Sequence, residues 1–83
     1  MEGKNMVKIA RKDIEKYCFS ILLKMSMYNT VILSGRGSNQ NKQERLATLY
    51  KSIGLREICR ETVEEEGLPT LKITLTKLKQ DFD

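Results

Sequence analysis

Asp13-Ile14-Glu15-Lys16-Tyr17-Cys18-Phe19-Ser20-Ile21-Leu22-Leu23-Lys24-Met25-Ser26-Met27-Tyr28-Asn29-Thr30-Val31-Ile32-Leu33-Ser34-Gly35-Arg36-Gly37 contains the change of hydrophobic period on which the fold turns. Ile14, Tyr17, Cys18, Ile21, Leu22 and Met25 fall at offsets 0, 3, 4, 7, 8 and 11, the apolar stripe of an amphipathic helix kept for three turns. Asp13 stands before it as an N-cap residue, able to accept hydrogen bonds from the free first N–H groups. Thr30 to Ser34 is then a compact β-branched run that predicts a buried strand, and Gly35-Arg36-Gly37 predicts a sharp turn after it.

Outward from this stretch the same two periods continue. Upstream, Val7 and Ile9 alternate against Lys8, so Met6 to Ala10 reads as a short strand. Downstream, Ser38, Asn39 or Asn41 can cap a second helix, in which Leu46, Leu49, Tyr50 and Ile53 repeat the helical spacing and Gly54 supplies the stop. Leu55 to Val63 is a weaker strand containing Ile58 and Cys59. Glu64 to Pro69 is polar turn chemistry, and Leu71, Ile73 and Leu75 alternate with Lys72, Thr74 and Thr76 as a half-buried strand. The order strand, helix, strand, helix, strand, strand predicts an α/β chain folded as a two-layer α+β sandwich: βαβαββ, a four-stranded mixed sheet with both helices on one face. One domain is expected over 6–78, with a flexible N-terminus over 1–5 and a frayed tail over 79–83.

Composition narrows the function. An 83-residue chain buries only about 60–65% of its unfolded surface, so no large cofactor cavity is expected and a partner subunit would help. With no histidine, the chain has no His-based acid–base chemistry and lacks the commonest metal ligand. Cys18 and Cys59 are lone cysteines without C-x-x-C spacing, read as reduced thiols packed inside an intracellular protein. The apolar run Cys18–Leu23 stops at Lys24, too short to span a bilayer, and the first residues lack a secretory signal's apolar core. The expectation is a soluble protein of the cytoplasm or nucleus. No Walker loop is present, and Glu64, Glu65 and Glu66 are adjacent in a turn, poor geometry for paired-carboxylate catalysis. Neither an enzyme nor a cofactor, metal or small-molecule substrate is expected.

The charge is uneven. Residues 1–56 carry 11 basic and 4 acidic side chains, residues 57–83 carry 4 and 7. That pattern fits an anionic partner on one side, or ordinary surface solvation. Arg11 and Lys12 lie in the first strand-to-helix loop, Lys16 one turn later, Arg36 in the second such loop and Lys42 early in the second helix. In a βαβ arrangement both loops emerge at the same sheet edge, where five cations could track a phosphate backbone. Gly35 and Gly37 would let backbone approach a phosphate, or would serve only a tight turn. Tyr17 reads as core, so backbone contacts rather than base stacking are expected from this set. Phe19, Leu23 and Met27 lie away from the main stripe, beside Lys16, Ser20 and Lys24. They fit a core or dimer contact better than a ligand contact, although a stacking platform is a third use.

Three segments together resemble the Alba-like DNA- and RNA-binding family. Ile9-Ala10-Arg11-Lys12-Asp13-Ile14-Glu15-Lys16-Tyr17 is similar to its first loop, where a basic pair precedes a helix bearing a tyrosine. Tyr28 to Gly37 resembles its second strand and Arg-Gly turn, and Gly67 to Lys77 its last strand in short eukaryotic-type members. The resemblance implies the βαβαββ fold, a homodimer or heterodimer, and binding of RNA or DNA with little sequence preference. It also implies that Arg11, Lys12 and Arg36 face the nucleic acid. The chain departs from the family in having Asp13 where archaeal members carry proline, and Gln40 and Gln43 where the family tends to be apolar. Its hairpin is short, with Glu64-Glu65-Glu66 at the tip. Such a tip would be repelled by a duplex groove, which favours RNA over DNA. Two other readings stay open: a ribonuclease P- or MRP-type assembly subunit, and a protein-only module whose acidic hairpin docks a basic partner.

Overall fold

The structure is a computed structural model that describes residues 5–77. The frayed tail expected over 79–83, the end of the domain at Leu78 and all but the last residue of the expected flexible N-terminus lie outside the described residues. That last residue, Asn5, is tied down. Its side-chain amide donates to the Thr30 carbonyl at 3.1 Å and to Thr30 Oγ1 at 2.8 Å.

The elements follow the predicted order: β1 (Met6–Ile9), α1 (Ile14–Met27), β2 (Thr30–Arg36), α2 (Asn39–Ser52), β3 (Leu55–Glu65) and β4 (Leu68–Lys77). They build one four-stranded sheet in the order β1-β2-β4-β3, with β1 parallel to β2 and β4 antiparallel to both of its neighbours. The first crossover joins adjacent strands. The second carries the chain through α2 to the far edge, and the hairpin then inserts β4 beside β2. Register places Val7 and Ile73 on either side of Leu33, and Leu75 opposite Val31. This face forms the core with Tyr17, Ile21 and Met25 from α1 and Leu46, Ala47 and Tyr50 from α2. The Tyr50 hydroxyl donates to the Cys18 carbonyl at 3.0 Å and so joins the two helices.

Several expectations are corrected. Leu22, Leu49 and Ile53 are exposed, because each helix lays only a narrow strip on the sheet. The buried row of α2 is Gln43, Leu46, Ala47 and Tyr50. Buried Gln43 meets no energetic conflict at its nitrogen: Nε2 donates to the carbonyls of Leu33 at 2.8 Å and Leu71 at 2.7 Å. Neither Asp13 nor Ser38 makes a side-chain cap; both helices start on backbone bonds, such as that from the Lys16 N–H to the Asp13 carbonyl at 3.0 Å. The turn assigned to Glu64–Pro69 is only Glu66-Gly67. Both residues have positive φ, 54° and 78°, as a two-residue hairpin loop requires, so Glu64 and Glu65 belong to β3. Cys18 is half-buried, but Cys59 is exposed on the edge strand next to a register shift between Glu57 and Cys59.

Candidate functional site

Because β1 and β2 run parallel, their C-terminal ends share one edge of the sheet, and the loops that enter α1 and α2 emerge together there. The first of these loops is braced from within. The buried Tyr17 places its hydroxyl beneath the loop, where it accepts the N–H groups of Ala10 at 2.8 Å and Lys12 at 3.0 Å. From α2, Lys42 Nζ donates to the carbonyls of Ala10 at 3.1 Å and Lys12 at 2.6 Å, and it lies 5.7 Å from the centre of the Tyr17 ring. Donors and acceptors of residues 10 and 12 are thus held together, and the side chains of Arg11 and Lys12 are left exposed.

Lys42 therefore sits at the predicted edge, but its ammonium is used on the loop. Arg11, Lys12 and Lys16 are exposed and make no salt bridge among the described residues. Arg36 is different. The hairpin tip folds against it, with Glu65 at 3.6 Å and Glu66 at 3.3 Å from its guanidinium. Glu65 also meets Lys72 at 3.0 Å, and the hydrogen bond from Lys72, with the nearby positive charges, holds its carboxyl below the ordinary range. Between β1, β2 and this tip lies a cleft of about 310 Å³, lined by Lys8, Ser34, Arg36, Asn39 and Glu65 among others.

The two glycines have separate roles. Gly37, at φ 53°, makes the turn into α2. Gly35, expected in the turn, lies inside β2 and is buried under Gln43, where an added Cβ would stand 2.5 Å from Gln43 Oε1. Its lack of a side chain serves the packing of α2 on the sheet and not an approach to ligand.

Arg60 of β3 and Lys51 at the end of α2 are committed elsewhere. Arg60 bridges Glu57 and Glu44, contacting Glu57 at 2.8 Å and Glu44 through both terminal nitrogens, while Lys51 meets Glu57 at 3.2 Å. Cations without a salt bridge among the described residues thus remain at the first loop and along α1, and also singly at Arg45, Arg56 and Lys77. Sequence reasoning identified that edge but missed the brace. The signal was present as a tyrosine one helical turn past the N-cap, yet only the fold shows that Lys42 arrives beneath the same loop.

No protein-family model matches the sequence, and no curated protein matches it. Among solved structures, the crystal structure of ALBA1 from Trypanosoma brucei is similar to this chain with a TM-score of 0.77 at 13% sequence identity, covering 92% of this chain and 72% of that one. The chain has the Alba-like fold, as its three motif segments anticipated.

Proposed function

We propose that this protein is a non-enzymatic nucleic-acid-binding protein that holds RNA in preference to DNA through the phosphate backbone, working as a homodimer or paired with another Alba-like subunit. The observation that carries this reading is the braced first loop, which presents Arg11 and Lys12 beside Lys16 with no acidic partner among the described residues. Rigid presentation of cations suits a regular array of phosphates and reads no base sequence. The fold shared with an Alba protein supports the same reading.

Fluorescence anisotropy with single-stranded RNA, duplex RNA and duplex DNA across a salt series tests it. Three or four phosphate contacts per chain give a slope of log K against log salt near about −3 on a duplex. Lys12→Ala should weaken binding to every sequence alike and make that slope shallower by about one. Arg36→Ala should weaken it less, because Glu65 and Glu66 already neutralise that guanidinium. A sequence-selective loss would show that bases are read and would sink the backbone model.

A second reading, an assembly subunit, is favoured by the exposed Leu49, Ile53 and Ile58. Sedimentation separates the two: a stable homodimer supports the first, and a partly folded monomer rescued by an Alba-like partner supports the second.

A further inference from the structure

A large open groove lies away from the cleft at Arg36. It runs between helix α1 and the edge strand β1, has a volume of about 590 Å³, and is lined by Lys8, Lys12, Lys16, Lys24, Phe19 and Ser20 together with the buried ring of Tyr17. Two carboxylates, Asp13 and Glu15, also reach it, so lysines outnumber acids two to one. Among the described residues, Lys12, Lys16 and Lys24 make no salt bridge, whereas Arg36, Lys51, Arg60 and Lys72 all do.

The wall on α1 is regular. Lys16, Ser20 and Lys24 are spaced by four and form one row, with the two ammonium-bearing positions about 12 Å apart along the helix axis. Phe19 stands beside that row and is 72% exposed. Its ring adds nothing to the core cluster. An aromatic face in water, between lysines and next to a strand that no other strand covers, costs solvation that a planar ligand would recover. Charge complementarity demands that the ligand be anionic. The volume lies within the range of sites that enclose a small planar group.

We infer that this groove is a binding site for single-stranded nucleic acid, in which Phe19 stacks on an unpaired base while Lys12, Lys16 and Lys24 hold the flanking phosphates. The inference rests on the nucleic-acid reading and adds a ligand class to it. The open loop cations alone would accept a duplex and a single strand. Only a single strand can turn a base out onto a side chain in a groove, because duplex bases are already stacked on one another.

Phe19 is exposed, so its replacement leaves the core intact. The chain has no tryptophan, and Phe19→Trp therefore introduces a single reporter at the site. A short oligoadenylate should quench its emission, saturating with the affinity measured by anisotropy. Phe19→Ala should weaken oligoadenylate binding by about 5-fold to 150-fold, the range of stacking measured by alanine substitution. Its salt slope should stay unchanged, as should its binding to duplex RNA of the same length. Lys16→Gln with Lys24→Gln should make the single-strand slope shallower by about 1.4.

Wild-type affinity in Phe19→Ala, an equal loss on duplex and single strand, or a tryptophan signal that responds as strongly to polyglutamate would each overturn the site. So would a change of sedimentation in Phe19→Ala, which would assign the ring to a subunit contact. Binding of duplex RNA without these single-strand effects refutes the groove alone. No binding of the wild-type chain to either form at low salt refutes the nucleic-acid reading, and the groove with it.

Discussion

Tyr17 shows how one side chain can belong to two levels of the molecule. Its ring is part of the apolar stripe, and its position four residues along from Asp13 is enough to predict burial. Its hydroxyl is the acceptor for two N–H groups of the first loop, which no periodicity reveals. Tyr17→Phe keeps the packing and removes that acceptor. Losing the partner of two part-buried donors should cost about 1–2 kcal/mol, which for a domain of this size lowers Tm by roughly 4–15 °C. Thermal melting by circular dichroism checks this, and an unchanged Tm would mean that water replaces the hydroxyl freely. Gly35 and Gln43 form the complementary pair. The glycine reads as a turn residue from its neighbours, but it is the close approach of a buried glutamine that requires it.

At the scale of elements, the β3–β4 hairpin is the segment whose role changes most on folding. Only Leu68 and Pro69 of β4 extend beyond the last residue paired to β2, so the arm is short, as expected. Its acidic tip does not stand apart as an isolated negative end. It occupies Arg36, which the sequence suggested for the loop but which is the last residue of β2, paired with Thr70. The Glu65→Gln/Glu66→Gln variant should therefore bind nucleic acid more tightly, by about 3-fold to 10-fold, with a salt slope steeper by about one for each further phosphate neutralised. Glu61→Gln/Glu64→Gln changes the net charge equally and should tighten binding less. An equal improvement in both variants would show that only overall charge matters and that the pairing with Arg36 is incidental.

For the whole molecule, the network joining α2 to β3 contributes to the response to acid, alongside Glu65 at the hairpin tip. The Arg60 hydrogen bond, with help from Lys51, pulls the Glu57 carboxyl down from 4.5 to about 2, and Glu44 is lowered through the same arginine. A folded value below the unfolded one means that the contribution is fully present above about pH 4.5 and is lost as pH falls towards about 2. Tm should be flat down to about pH 5 and decline below it, and Arg60→Gln should flatten that decline while lowering Tm at neutral pH. The fall is modest because these groups are largely solvated. A decline of the same size in both proteins would place the acid sensitivity in other carboxylates.

The sequence by itself determined the element order, the fold class and the edge where the cations gather. Each of these follows from short-range rules: three turns of helical spacing from Ile14, period two in Leu71–Leu75, and the identical sense of two strands that each lead into a helix. Ion pairing and exposure were decided only by the tertiary structure. Glu65 and Arg36 are far apart in the chain, and nothing local couples them until the hairpin inserts β4 beside β2. Leu22 and Leu49 satisfy a helical stripe as well as their buried neighbours do, yet the width of the strip a helix lays on a sheet is set by the crossing of two elements. Lys42 reads as a surface cation in any local window, and it becomes a brace because the second crossover brings α2 beneath the first loop. Periodicity reports which face of an element is apolar; which partner each polar group meets depends on contacts between residues distant in sequence, and the fold alone supplies those.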